Sequence, residues 1–404
     1  MAQVDTLERI GEQSEGPIRM QVISRHYWPI TSESALRLMH LCDGWSSIGV
    51  HPSIVTTRWN TAWPDRANIR GIPIERLLPP TNSPWNEGHF QKNLGLWLQK
   101  NRDRFDLLYV DASDLMLPSI QHKARQLGKP LLVRYTPEVI KPLRPRPFGM
   151  GAPQIEQALT ECQGVVVQSR IALQKLIDSG TPSNKCKLIV DGVQNRVDRS
   201  IEARQRALVG LAKASGDFHL PPKTDLAIHL GESTLDLMIP ILKSFCDLLD
   251  RGVSIRLWMF DLGKETARIY EWVKLRGWHR EMLIFDGFDV LDDLIAAADV
   301  AIVSNPLLSF QFSTRLILES ELPVIIASDP CAHEWIPETP LMKWYYSHES
   351  LLDQLLDWQR HRDQWSAEAI ALNNHLHRHH PTRDCIDRWK QLLQSLVPGR
   401  LPRE

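Results

Sequence analysis

Short apolar runs recur along the chain, spaced so that one helix fits between each pair. Gln21–Ser24, Ser53–Thr57, Leu107–Asp111, Leu131–Tyr135, Val165–Gln168 and Lys187–Val190 are β-branched or Leu-rich and bounded by turn residues, as buried strands are. Between the first two, Ala35, Leu38, Met39, Leu41 and Cys42 fall near helical spacing, with Ser32 or Thr31 to cap the start and Gly49 to stop the end. A second series opens at Ala227 with AIHLGE, IRLWMF, LIFDGF, VAIVSN and VIIASD. Strand–helix alternation of this kind predicts an α/β protein of doubly wound parallel sheets, whose ligands sit outside the carboxyl ends of the strands.

The two series are separated by Gln194–Lys223, which is polar and basic, then rich in small residues, then Pro-containing, and reads as a linker with one helix in it. RDCIDRWKQLLQSL after Pro381 is amphipathic and predicts a final helix. The expected division is a polar tail (1–18), a first domain (19–197), a linker (198–222), a second domain (223–380) and the closing helix (381–404). A chain of 404 residues suits two cores of roughly 180 residues each.

Composition narrows the function class. Apolar residues at 43% and charged residues at 24% fit a globular protein, and a net charge of −1 gives no overall pull toward nucleic acid. Six scattered cysteines without a C-x-x-C pair argue for reduced thiols, hence a cytoplasmic location, and against a structural zinc site. The polar N-terminus lacks the apolar core of a signal peptide, and no apolar run approaches the ~18 residues that span a bilayer.

Between Met282 and Ser328 the motifs come in a telling order. A strand ends in Phe285-Asp286-Gly287, a helix ends in Ala297-Ala298-Asp299-Val300, a strand leads into a Ser/Pro loop, a Glu-bearing helix follows, and Pro323-Val-Ile-Ile-Ala327 begins the next strand. The order resembles the donor-sugar half of the GT-B glycosyltransferases of the family-four type. LIVDGV at Leu188–Val193 similarly resembles the V-I-P-N-G-V that closes their first domain. The resemblance covers roughly residues 20–395. It implies a GT-B architecture, two Rossmann-like domains facing a cleft, with the last helix packed back on the first. It implies retaining transfer of a sugar from a nucleotide-sugar co-substrate to a glycan or lipid-linked acceptor, without a metal or other cofactor. A lipid-linked acceptor would be compatible with peripheral membrane contact; the oligomeric state stays open.

Against that frame the charged residues depart from the family. Its G-R-L…K-G cations after the first strand of the second domain are replaced: Glu232 stands for the Arg and Leu237 for the Lys. Charge-assisted hydrogen bonds contribute about 1.5–3 kcal/mol each, so two missing cations weaken a diphosphate site by roughly a hundred- to ten-thousand-fold. Glu232 is open to a second account, as a helix cap in the cleft. The family's two glutamates eight positions apart become Leu308 and Leu316, and Glu319, one turn further, is either a shifted substitute or an exposed helix residue. Donor contacts are then expected from Gly231, Glu232, Ser233, Gly287, Ser309 and Phe310, and from Ser313, Thr314 and Arg315, where a helix N-terminus offers N–H groups to an anion. Ser313 and Thr314 equally suit a plain helix cap.

In the first domain, Thr31 and Ser32 stand where the family's Gly-Gly admits phosphate, and Glu138 lies where it often has a His, making Glu138 and Glu319 the candidate catalytic carboxylates. His375 and His379 have i, i+4 spacing, which suits a solvated helix end better than a metal site with no third ligand. Of the fourteen tryptophans, Trp59, Trp63, Trp85 and Trp97 cluster after the second strand, suited to stacking on a glycan acceptor or to filling a core. Two functions therefore stand against each other: a glycosyltransferase with a rearranged donor site, and a catalytically inactive GT-B-shaped binding or scaffold protein.

Overall fold

The computed structural model describes residues 16–30, 32–78, 84–111, 116–135, 152–190, 197–214, 220–221, 223–230, 235–260, 265–285, 291–304, 312–328, 333–334, 336, 339–379 and 382–398. Two sheets organise them. The first contains β1 (Ile18–Ile23), β2 (Val50–Thr57), β3 (Arg66–Ile69), β4 (Ile72–Leu77), β5 (Leu107–Asp111), β6 (Leu131–Arg134), β7 (Gly164–Val167) and β8 (Cys186–Leu188) in the order β3-β4-β2-β1-β5-β6-β7-β8. Every pairing is parallel except the β3–β4 hairpin at the edge. The second contains β9 (Asp225–His229), β10 (Ile255–Phe260), β11 (Met282–Phe285), β12 (Val300–Val303), β13 (Val324–Ala327) and β14 (Lys343–Tyr345), all parallel, in the order β11-β10-β9-β12-β13-β14. This is the expected α/β class with two Rossmann-like domains.

The helices are α1 (Glu33–Ser47), α2 (Pro84–Lys100), α3 (Leu117–Leu127), α4 (Ala152–Glu161), α5 (Arg170–Asp178), α6 (Ile201–Ala214), α7 (Leu235–Asp250), α8 (Thr266–Lys274), α9 (Leu291–Ala297), α10 (Phe312–Glu319), α11 (His348–Arg360), α12 (Arg362–His379) and α13 (Thr382–Leu396). None of the helices described is long and apolar enough to cross a membrane.

Local chemistry explains the elements nearest the cleft. Ser32 adopts extended dihedrals and its hydroxyl accepts the Ala35 N–H at 3.1 Å, which starts α1. Gly49, at φ +80°, takes the left-handed conformation that lets the chain turn from α1 into β2. Ser169 caps α5 in the same way as Ser32 caps α1. The central strands β5, β6, β9 and β12 are buried along their whole length, as parallel strands covered on both faces must be.

Two connections tie the domains together. Cys385, Trp389, Leu392 and Leu393 of α13 pack into the first domain with Met20, Trp45 and Tyr109, and Trp389 meets Trp45 edge-on at 5.2 Å. Fully burying side chains of this size contributes about 1.5–3 kcal/mol apiece, so the helix is firmly docked. In the other direction, Leu36 of α1 reaches into the core of the second domain. Beside it the His40 ring lies 4.5 Å from that of Phe312, at the start of α10.

Candidate functional site

The carboxyl ends of both sheets converge where α1 meets α10, and polar groups there are buried and paired. Glu33, in the first turn of α1, is 8% exposed. Its Oε1 accepts the N–H of Ser313, at the N-terminus of α10, at 3.1 Å. Its Oε2 is buried without a hydrogen-bond partner among the described residues. Burial pushes the Glu33 carboxyl up from its ordinary value, while Arg37, the Ser313 side chain and the backbone at Ser313 and Phe312 pull it down. The first domain thus presents a carboxylate to the positive end of a helix in the second.

One turn along α1, Arg37 places Nη2 2.7 Å from both carboxylate oxygens of Asp111, the last residue of β5. Parallel register sets Asp111 beside Arg134 of β6, whose Nη1 is 3.7 Å from Asp111 Oδ1. The Asp111 side chain is fully buried and that of Arg134 is 2% exposed. Glu33, Arg37, Asp111 and Arg134 form a chain of alternating charge whose sum is zero. Buried charges are tolerated only in such an arrangement, because each cation offsets the desolvation of its neighbour.

The strand ends of the second domain are furnished differently. His229 closes β9 and Ser304 follows β12; His229 Nε2 and Ser304 Oγ are 2.7 Å apart and both residues are buried. Burial holds the His229 imidazole down at about 4, so it is neutral at pH 7. Further along α10, Arg315 and Glu319 are both buried, with guanidinium–carboxylate distances of 3.3 Å. The other Glu319 oxygen lies 2.7 Å from His377 Nε2 on α12. At the far side of the domain contact, Glu334 of the second domain accepts the backbone N–H groups of Arg170 and, at 3.2 Å, Ile171, so it caps α5 of the first.

Of the residues singled out in the sequence, the structure brings Ser32, Ser313 and Thr314 to the contact between α1 and α10, with Ser313 and Thr314 at 1% and 0% exposure. Glu319 is buried rather than exposed, and Arg315 is paired with it. Leu316 is core. Leu237 is half-exposed in the first turn of α7. Thr31, Glu138, Gly231, Glu232, Ser233, Gly287, Leu308, Ser309 and Phe310 lie outside the described residues. Trp28 and Trp63 flank the Arg76 guanidinium at 5.5 and 5.8 Å, Trp59 stacks by His26 at 5.0 Å, and Trp97 donates to Glu75 at 2.8 Å. The Trp85 side chain is not described. His375 and His379 stack on each other at 4.5 Å, and among the described residues no group of three or more His, Cys, Asp or Glu could hold a metal.

Glu33, Arg37, Asp111, Arg134 and His229 are site residues that the sequence reading passed over, and Glu334 is a domain contact outside the site that it also missed. The parallel strand ends at Asp111 and Arg134 were a usable signal, since residues closing adjacent central strands face the ligand crevice.

No family model and no curated protein matches the sequence. Solved structures do match its shape. Sucrose-phosphate synthase from Thermosynechococcus elongatus superposes with a TM-score of 0.71 at 13% identity, covering 94% of this chain and 99% of that one. The catalytic domain of starch synthase IV from Arabidopsis thaliana, bound to ADP and acarbose, gives 0.68 at 10% identity over 95% and 100% of the chains. Anabaena HepE in complex with UDP-glucose gives 0.65 at 11% identity over 94% and 100%. The chain has the GT-B fold of these glycosyltransferases along nearly its whole length.

Proposed function

We propose that the protein binds a nucleotide sugar between its domains and transfers the sugar to a glycan or lipid-linked acceptor. The observation that carries this reading is the α10 N-terminus: it lies at the crevice beyond β12 and already holds an acidic group, the Glu33 carboxyl, on the Ser313 N–H. Aligned N–H groups at a helix start suit a diphosphate whose charge grows as the sugar departs. His229 and Ser304 supply a neutral hydrogen-bonding pair at the neighbouring strand ends. Two of the matching structures hold ADP or UDP-glucose, which supports the same ligand class here.

In this reading Glu319 and Arg315 act as a pair that fixes the helix rather than as separate donor contacts. Glu138, Gly231, Glu232, Ser233, Gly287, Ser309 and Phe310 remain part of the proposed cleft, with Thr31 and Ser32 at its first-domain side. A binding or scaffold role without turnover is favoured by one observation. The guanidinium groups of Arg37, Arg134 and Arg315 each lie near a carboxylate of the chain itself.

Titration with UDP-, GDP- and ADP-sugars, followed by release of labelled sugar to water or acceptor, separates the readings. Saturable binding with sugar release supports transfer, and saturable binding with no release supports the scaffold. No binding to any of the three would remove the donor site.

A further inference from the structure

We propose that Glu33 is an internal occupant of the phosphate seat at the start of α10, and that a nucleoside diphosphate enters by displacing it. The inference rests on the donor-site reading above and adds the competitor. Three observations carry it. The Glu33 carboxylate is the group the Ser313 N–H bonds, across the domain boundary and 280 positions away in sequence. Glu33 is more than nine-tenths buried, yet Oε2 has no hydrogen-bond partner among the described residues, and the hydroxyl of Thr314, fully buried in the same helical turn, has none either. The seat therefore has unused polar capacity that one carboxylate does not fill. Arg37, the nearest cation on α1, gives Nη2 to both oxygens of Asp111 and its charge also favours the Glu33 carboxylate, so Glu33 is held between Arg37 and the start of α10.

A carboxylate and a diphosphate cannot share one helix terminus, because like charges a few ångströms apart in a dry site repel strongly. Phosphate brings more oxygens and more charge than Glu33 to the same N–H groups, which gives it the means to win the exchange. The second interdomain cap, Glu334 on α5, provides an internal control. It joins the same two domains through the same kind of contact, but the helix start it bonds is that of α5 rather than α10.

The test is calorimetric titration of UDP, GDP and ADP into the full chain and into Glu33→Gln, Glu33→Ala and Glu334→Gln, each checked for native circular dichroism. Two substitutions at position 33 guard against one failing to fold. Removing the competing charge is expected to tighten the binding nucleotide by about tenfold or more in both Glu33 variants, with less than about a twofold change in Glu334→Gln. Equal or weaker binding in the Glu33 variants, with the native chain still binding, overturns the occupant and leaves the donor site standing. An equal gain in Glu334→Gln also overturns it, since loosened domains rather than a vacated seat would explain the gain. Failure of all three nucleotides to bind any of the proteins would overturn the donor site and the occupant together.

Discussion

The carboxyl ends of the two sheets meet the same crevice with opposite chemistry. In the first domain β5 and β6 end in Asp111 and Arg134, full charges locked into a buried ionic chain with Arg37. In the second domain β9 and β12 lead into His229 and Ser304, a neutral imidazole and a hydroxyl 2.7 Å apart. One side holds its polar groups in place by mutual charge compensation, the other by a single short hydrogen bond. The ionic side is costly to damage and already neutral in sum; the uncharged side leaves an incoming anion facing dipoles rather than ions. The contrast teaches that a crevice can be polar on both walls while only one of them retains electrostatic room for a ligand.

Breaking the ionic wall is the harshest way to test the comparison. Asp111→Asn strands Arg37 and Arg134 in a buried site, and the loss of one partner from such a network costs about 3–5 kcal/mol. Urea denaturation monitored by tryptophan fluorescence is expected to show that loss in the transition of the first domain. A change below about 1 kcal/mol would mean that the chain of charges is not what holds these strand ends.

Acid attacks the neutral wall instead. Burial depresses the His229 value from 6.5 to about 4 in the folded protein, so the unfolded chain takes up a proton that the native state refuses. Its contribution is intact above about pH 6.5 and is lost as the pH falls toward 4, by about 3 kcal/mol in all. His40, also held at about 4 by burial, is partly exposed and adds a smaller loss in the same window. Stability measured from pH 7 to 4 should therefore fall less steeply in His229→Gln than in the native chain. An identical slope would show that His229 is already protonated in the fold.

Ser304→Ala sharpens the same point at constant pH. It leaves His229 Nε2 buried without its partner and is expected to cost about 1–3 kcal/mol in denaturant melts. The smallest effect is at Ser32. Removing its hydroxyl uncaps α1 and should cost about 1 kcal/mol, measured by thermal melting, with the Glu33 contact as bystander.

Much of this arrangement was legible in the sequence, and the reasons are local. Leu107–Asp111 is a short apolar run with a polar stop, and β5 occupies those same residues. Ser32 announced α1 through its hydroxyl, and Gly49 ended it. The β3–β4 hairpin escaped notice because Arg66, Glu75 and Arg76 interrupt its apolar residues, as befits an edge that alternates buried and exposed positions. β1 begins at Ile18, earlier than Gln21, and its one partly exposed residue, Arg19, pairs with Asp106.

The site was less legible for a different reason. A glutamate in the first turn of a helix is commonplace, so Glu33 carries no local mark of its role; its partner Ser313 is fixed only when the domains meet. Asp111 reads in the sequence only as the polar stop of a strand, and its partner Arg37 is 74 positions away. The hydroxyls of Ser313 and Thr314 were visible as a helix start, but nothing in the sequence says that a carboxylate from the other domain waits there.

The docking of α13 sets the order in which the chain can be completed on a ribosome. Trp389, Leu392 and Leu393 belong to the core built around Met20, Trp45 and Tyr109, so the strands made first lack part of their interior until residues 385–393 have emerged. The second domain, whose core lies earlier than α13, is the part able to settle while synthesis continues. A ribosome stalled before Pro381 would carry a first domain with an open apolar flank, exposed to chaperones and proteases until the closing helix is released.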